Sequence, residues 1–302
     1  MDFKDLSYVI AIAEQQNITR AAEALFISQP TLTKFLQKLE GELGQKLFRK
    51  VGNKFLLTYA GERYVAKSSE ILQLKKELDH EMADIIKSNV GELNIAFPAV
   101  RGTYMLPCTL PVFKKLYPNV QLKITEAPSS TLEKMLIAGS LDLAFFNAPT
   151  KSPEIAYDII TTEEMILLMS QKNLWVKKAV KKKGCTYPWL NLEDLKDELF
   201  IIQKPEQRTR QIVDKFLKAQ DIQLKNTLVT SNIRAAAELA SKNYGIAFVC
   251  ETHLKHMQLD SDYACFSFGR PSITIDFVAA YRKGSYLPYH AQEYIKIVKK
   301  FT

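Results

Sequence analysis

Apolar residues at Phe3, Leu6, Val9, Ile10 and Ala13 recur at helical spacing and predict a first helix ending near Gln16–Asn17. Thr19 stands as the N-cap of a short helix from Arg20 to Leu25, where Ala21, Ala22 and Ala24 let a neighbour pack closely. Ser28 is the next cap, with Pro30 in the first turn, where a missing N–H is tolerated. The helix it opens runs to about Leu43 and stops at Gly44. Leu32, Leu36, Leu39 and Leu43 form its apolar stripe, with Phe35 on the flank, and Pro30, Thr31, Lys34, Gln37 and Lys38 face the other way. Two helices joined by a short turn, the second polar and basic outward, predict a helix-turn-helix. Lys46–Lys50 and Phe55–Leu57 flank Gly52-Asn53, which predicts a hairpin wing carrying Arg49, Lys50 and Lys54 beside a DNA backbone.

Thr58 then caps a long helix to about Ile86. Ile71, Leu74, Leu78, Met82 and Ile85 are spaced by 3, 4, 4 and 3, the stripe of a helix that pairs with a second copy or packs on its own chain. From Gly91 the pattern changes. Short apolar runs at 93–97, 120–125 and 141–146 alternate with helices at 103–115 and 132–138, which predicts a parallel sheet. The pattern restarts after Thr161-Thr162. Strands are expected at 165–169, 200–202, 227–230 and 245–250, and helices at 208–219 and 233–242, with a basic exposed stretch from Lys172 to Gly184. The chain then returns to the first lobe with a strand at 275–281 and a helix at 288–301.

The predicted fold class is α/β: an N-terminal all-α winged helix-turn-helix (1–58), a linker helix for dimerisation (59–87) and a two-lobed α/β domain (88–302). Lobe I takes 91–162 and 269–302, and lobe II takes 163–268. Two crossings between lobes make a hinged clamp around a cleft.

A net charge of +8 suits a polyanionic partner, yet residues 1–60 hold eight Lys/Arg against six Asp/Glu, so charge does not identify the DNA-binding end. Cys108, Cys185, Cys250 and Cys265 are too scattered for a zinc site or a disulfide framework and read as packing thiols. Cys185 stands beside Lys181, Lys182 and Lys183, whose charge favours a thiolate. His253 and His256 are three apart without a third ligand, and with His80 and His290 they read as surface histidines. Asp2, Lys4 and Asp5 interrupt any leader-like run, and no stretch approaches membrane-span length, so a cytoplasmic protein is expected. No nucleophile elbow, P-loop, dinucleotide fingerprint or metal spacing is present, so neither an enzyme nor a cofactor is expected.

The run from Ile18-Thr19-Arg20-Ala21-Ala22-Glu23-Ala24-Leu25 through Ser28-Gln29-Pro30-Thr31-Leu32-Thr33-Lys34 to Leu43-Gly44-Gln45-Lys46-Leu47-Phe48-Arg49 closely resembles the LysR-type transcriptional regulators. Leu57-Thr58-Tyr59-Ala60-Gly61-Glu62 continues the match. Leu106-Pro107, Tyr117-Pro118, Glu126, Gly139 with Leu141-Asp142-Leu143-Ala144, and Gly245-Ile246-Ala247 resemble that family's effector domain, which is similar to periplasmic binding proteins. The resemblance implies a homodimer or homotetramer on a dyad-like DNA operator, a small-molecule effector and contact with RNA polymerase, without a membrane. A solute receptor without DNA function is the alternative. The DNA-binding candidates are Arg20, Ser28, Gln29, Pro30, Thr31, Thr33, Lys34, Gln37, Lys38, Arg49, Lys50 and Lys54. The family usually carries arginine where this chain has Lys34, so fewer bidentate base contacts and more phosphate contacts are expected.

Ligands in open α/β sheets sit beyond the carboxyl ends of strands. The effector candidates are therefore Val100, Arg101, Gly102, Thr103, Ser129, Ser130, Thr131, Asn147, Gln203, Lys204, Arg208, Thr209, Ser231 and Asn232. Free N–H groups at helix starts, hydroxyls and arginines suit an organic anion or an amino acid. Each Ser, Thr or Asn among them equally suits a helix cap.

Overall fold

A computed structural model describes residues 2–52, 54–85, 91–148, 151–260 and 262–302. The chain divides into two compact units, Met1–Lys87 and Ser88–Thr302.

In the first unit, α1 (Phe3–Gln15), α2 (Ile18–Ala24) and α3 (Gln29–Leu43) close around Val9, Ile12, Ala21, Ala22, Leu32, Leu36 and Leu39. Asn17, and not Thr19, caps α2: its side-chain oxygen accepts the N–H groups of Thr19 and Arg20 at 2.9 and 3.1 Å, which draws Ile18 and Thr19 into the helix. Ser28 caps α3, and Gly44 ends it in the left-handed region at φ 64°. The wing pairs β1 (Phe48–Val51) with β2 (Lys54–Leu57), Val51 opposite Lys54; Asn53 of the expected turn lies outside the described residues.

The linker helix α4 (Tyr59–Ile85) starts at Thr58, whose hydroxyl accepts the Gly61 N–H at 3.1 Å and donates to the Lys46 carbonyl at 2.6 Å. Gly61 is required here, because a Cβ would stand 2.0 Å from the Leu47 carbonyl oxygen. Leu74, Leu78 and Met82 are 65%, 57% and 47% exposed, so the stripe that includes Ile71 is not absorbed by its own chain. Ile86 and the side chain of Ile85 lie outside the described residues.

The second unit runs β3 (Gly91–Phe97), α5 (Ala99–Leu116), β4 (Val120–Glu126), α6 (Ser129–Ile137), β5 (Leu143–Asn147), β6 (Ile155–Ser170), β7 (Leu199–Gln203), α7 (Arg208–Ala219), β8 (Asn226–Thr230), α8 (Ile233–Ser241), β9 (Ile246–Cys250), α9 (Glu251–His256), β10 (Tyr263–Ser267), β11 (Thr274–Arg282) and α10 (Tyr289–Lys300). The strand order is β4-β3-β5-β11-β6-β9-β7-β8, with β10 also on β6. Phe97, Phe113, Phe145 and Tyr294 centre the core of lobe I, and Phe200, Phe248 and Phe268 that of lobe II.

Two expectations change. The helix expected from Thr103 begins at Ala99, which moves Arg101, Gly102 and Thr103 from a loop into its first turns. The break expected at Thr161-Thr162 is absent: β6 is one strand of 16 residues serving both lobes. Its first half pairs with β11, and its second half pairs with β9 and β10. The polar run Thr161-Thr162-Glu163-Glu164 imitates a loop, yet Glu163 and Glu164 are 0% and 5% exposed. The stretch expected as exposed from Lys172 to Gly184 includes a short 3-10 turn, Leu174–Lys178.

Candidate functional site

On the helix-turn-helix, Arg20, Ser28, Gln29, Pro30, Thr31, Lys34, Gln37, Lys38, Arg49, Lys50 and Lys54 are exposed and Thr33 is half-buried. Several are bound locally. The Ser28 and Thr31 hydroxyls share a hydrogen bond of 2.8 Å, and Gln29 Nε2 donates to Thr33 Oγ1 at 2.7 Å. Lys38 stands 3.7 Å from Glu42. Phe35 turns inward and meets Tyr8 edge-on at 5.1 Å, which leaves Lys34, Gln37 and the polar first turn on the exposed face of α3. Glu40, which pattern reading passes over, is buried. Its carboxylate accepts the N–H groups of Leu47 and Phe48 at 2.8 and 3.2 Å and Lys46 Nζ at 2.8 Å, bracing the recognition helix against the wing.

Between the lobes lies a cavity of about 420 Å³. Lobe I lines it with Pro98–Arg101, Glu126–Ser129 and Asn147, and lobe II with Lys204, Glu206–Thr209, Ser231, Ile233 and His253. It thus gathers Val100, Arg101, Ser129, Asn147, Lys204, Arg208, Thr209 and Ser231 of the sequence candidates. The helices α5, α6 and α7 begin at this cavity with no side-chain cap. Their first N–H groups and positive dipole ends face a common space.

The other candidates stand elsewhere. Asn232 caps α8 by accepting from the Arg234 and Ala235 N–H groups at 3.0 and 3.2 Å. Thr103 donates to the Val100 carbonyl at 2.7 Å. Gly102 leaves room for Glu126, whose Oε1 would lie 2.4 Å from an added Cβ. Ser130 and Thr131 lie in the first turn of α6 outside the lining, and Gln203 is buried at the end of β7, its carbonyl accepting Arg210 Nη1 at 2.9 Å.

Arg101 does not present an open charge. Its Nη2 donates to Glu163 Oε1 and Asn147 Oδ1, each at 2.8 Å, and its Nη1 to Thr252 Oγ1 at 3.3 Å. Asn147 Nδ2 and the Thr252 hydroxyl also donate to Glu163. The guanidinium lies 4.0 Å from the centre of the Phe277 ring. Burial works to lower the Arg101 pKa, but the Glu163 charge outweighs it and the value stands above the ordinary one. The pair is 2% and 0% exposed and joins α5 and β5 of lobe I, the β6 crossing and α9.

His253, expected on the surface, is buried in the cavity wall, its Nδ1 3.3 Å from the Tyr104 hydroxyl. Burial, and then the Arg101 charge, hold its pKa well below the usual value, so the ring is neutral. His256 stacks on Tyr104 at 4.5 Å, and His290 is buried in α10. Nearer the solvent, Arg208 of α7 reaches across to Glu133 of α6, an ion pair with side chains 13% and 18% exposed. Among the described residues, the charged side chains on the cavity without an ion pair are Lys204, Glu126 and Glu206.

The comparisons match this architecture. Residues 3–62 match the family model for the bacterial regulatory helix-turn-helix protein, lysR family, and residues 87–302 match the LysR substrate binding domain. An uncharacterized HTH-type transcriptional regulator, YcgK of Bacillus subtilis, is 27% identical over 99% of this chain and 94% of its own. A probable RuBisCO transcriptional regulator of Thalassiosira pseudonana is 31% identical over 81% and 80%. A hydrogen peroxide-inducible genes activator of Haemophilus influenzae is 30% identical over 59% of this chain and 60% of its own. Among solved structures, a cysteine-to-aspartate variant of full-length OxyR from Pseudomonas aeruginosa superposes with a TM-score of 0.74 at 22% identity, covering 100% of this chain and 94% of that one. Full-length CbnR with its target DNA gives 0.61 at 23%, covering 100% of both.

Proposed function

The chain belongs to the LysR family of bacterial helix-turn-helix transcription regulators, and on that premise we propose that its cleft binds a small organic anion or amino acid whose presence changes how the protein holds DNA. The protein is a DNA-binding regulator with an effector-binding unit. The observation that carries the effector reading is the meeting of three uncapped helix starts with Ser129, Asn147, Lys204, Arg208 and Thr209 around one cavity. The alternative of a solute receptor without DNA function is disfavoured by the complete winged helix-turn-helix.

In this reading two subunits pair through Ile71, Leu74, Leu78 and Met82, and the assembly meets a dyad-like operator and RNA polymerase in the cytoplasm, with no catalysed reaction. Among the described residues no helix is long and apolar enough to cross a membrane. Coupling of about 1–3 kcal/mol between effector and DNA is enough to shift occupancy several-fold.

None of the four cysteines lines the cavity. Burial pushes the Cys265 thiol up to about 12 and Cys250 well above its ordinary value, which disfavours a reactive thiolate at those two positions.

The test is thermal stabilisation of the full chain by a panel of organic acids and amino acids, repeated with operator DNA selected from genomic fragments. A Tm rise with one class, and a shift of DNA affinity by the same compound, is expected. Stabilisation only by polyamines or large apolar molecules would refute the reading. At the other end, Lys34→Ala is expected to weaken DNA binding. Equal loss across sequences with a flatter salt dependence marks a phosphate contact, relaxed specificity marks a base contact, and no loss removes Lys34 from the interface.

A further inference from the structure

The positive charge of this chain is not where its helix-turn-helix is. Residues 1–87 hold thirteen Lys/Arg against twelve Asp/Glu, whereas residues 88–302 hold twenty-eight against twenty-one. Six of that excess of seven stand in residues 172–183, as Lys172, Lys177, Lys178, Lys181, Lys182 and Lys183, and no Asp or Glu occurs between Glu164 and Glu193.

The segment is held on lobe II. Trp189 exchanges backbone hydrogen bonds of 3.0 and 2.7 Å with Val180, and its indole N–H donates to the Gly269 carbonyl at 2.8 Å. Trp175 donates from its indole to Glu198 at 2.9 Å. Both rings carry cations: Lys178 lies 3.9 Å from the Trp175 ring centre, and Lys182 and Arg270 stand over Trp189. Of the nearby acids, Glu193 pairs with Lys196, Asp197 with Lys225, and Glu198 holds Trp175, while Asp194 accepts from Asn191 Nδ2 at 3.2 Å and the Asp262 carbonyl accepts the Gln171 N–H at 3.2 Å beside Lys172. Among the described residues none of the six lysines has an ion pair, and all but the half-buried Lys182 are exposed. Six lysines within residues 172–183, none in an ion pair among the described residues and two of them held on tryptophan rings, are complementary to a regular polyanion. Lysine heads act as point charges that grip phosphate without reading sequence.

We propose that this face of lobe II is a second, sequence-independent DNA-binding surface, which holds backbone phosphates of duplex flanking the stretch read by α3 and the wing. The effector-binding unit thereby contributes affinity, while the helix-turn-helix contributes selectivity.

The test uses full-length protein and fluorescein-labelled random-sequence duplexes, with binding followed by anisotropy across a sodium chloride series. The variant is Lys177→Gln/Lys181→Gln/Lys183→Gln, which leaves Lys178 and Lys182 on their tryptophans. The control is Lys283→Gln/Lys299→Gln/Lys300→Gln, an equal loss of exposed charge elsewhere in the same unit. Each lost phosphate contact flattens the slope of log affinity against log salt by about 0.9, so the variant is expected to flatten it by between about one and about three while the control does not. The difference is expected to be larger on a duplex of about 80 base pairs than on one of about 25, since flanks add phosphates. An unchanged slope in the variant, or equal flattening in the control, overturns the proposal. So does loss of binding to anionic vesicles or to polyglutamate without a change of DNA slope, which would assign the face to a membrane or to an acidic protein.

Discussion

Glu163 and Arg101 form a charge pair with almost no solvent access, and such pairs are asymmetric in their energetics. Removing one member leaves the other charged and buried, at about 3–5 kcal/mol. Glu163→Gln is therefore expected to lower the urea midpoint strongly, followed by tryptophan fluorescence. Replacing both by apolar residues, as Arg101→Met/Glu163→Leu, is expected to recover most of the loss. His253 sets a pH dependence of known sign. Its folded pKa lies below the unfolded value of 6.5, so below pH 6.5 the unfolded chain takes up a proton that the folded chain refuses. Stability is thus level above that pH and falls beneath it, by up to about 1.4 kcal/mol per pH unit. His253→Gln is expected to make thermal unfolding less sensitive between pH 7 and 5. His256, whose pKa is also lowered by burial, keeps part of the slope.

At the scale of elements, the braces matter more than the stripes. Glu40 satisfies two amides at the start of the wing. Glu40→Ala is expected to cost about 1–3 kcal/mol and to weaken DNA binding, because the wing loses its fixed angle to α3. Thermal unfolding and anisotropy measure the two effects separately. The helices of the first unit were legible because Leu32, Leu36 and Leu39 recur at the helical period and Gly44 stops the run. The sequence alone does not place the α2 cap, because Asn17 and Thr19 are both cap residues two positions apart, and only the geometry of the Asn17 oxygen decides between them. The cleft loops are legible from strand ends, and Arg101 does line the cavity, but the sequence does not show that its charge is paired. Its partner Glu163 is 62 positions away, and no local pattern records a pairing at that distance. The same carboxylate hid the continuity of β6, since a polar run inside a strand looks like a boundary until its charge is seen to be neutralised.

For the whole molecule, the Arg208–Glu133 pair spans the cleft and engages the Arg208 Nη2 that a ligand carboxylate would otherwise meet. Glu133→Gln is expected to raise the affinity of small carboxylates such as succinate or glutamate several-fold, measured by calorimetry on the full chain. Equal or weaker binding would remove Arg208 from the ligand contacts. A ligand that displaces Glu133 also releases one tie between lobes, which couples occupancy to lobe movement.

The unbroken β6 has a consequence for recombination. Lobes related to those of solute receptors look like exchangeable parts, to be swapped among relatives by cutting where the chain crosses over. Here the crossing carries Glu163, whose partners Arg101 and Asn147 come from one lobe and Thr252 from the other. A chimera cut at the crossing inherits the acid from one parent and the cation from another. It folds well only when both parents share the whole quartet, so the heritable module is the pair of lobes together.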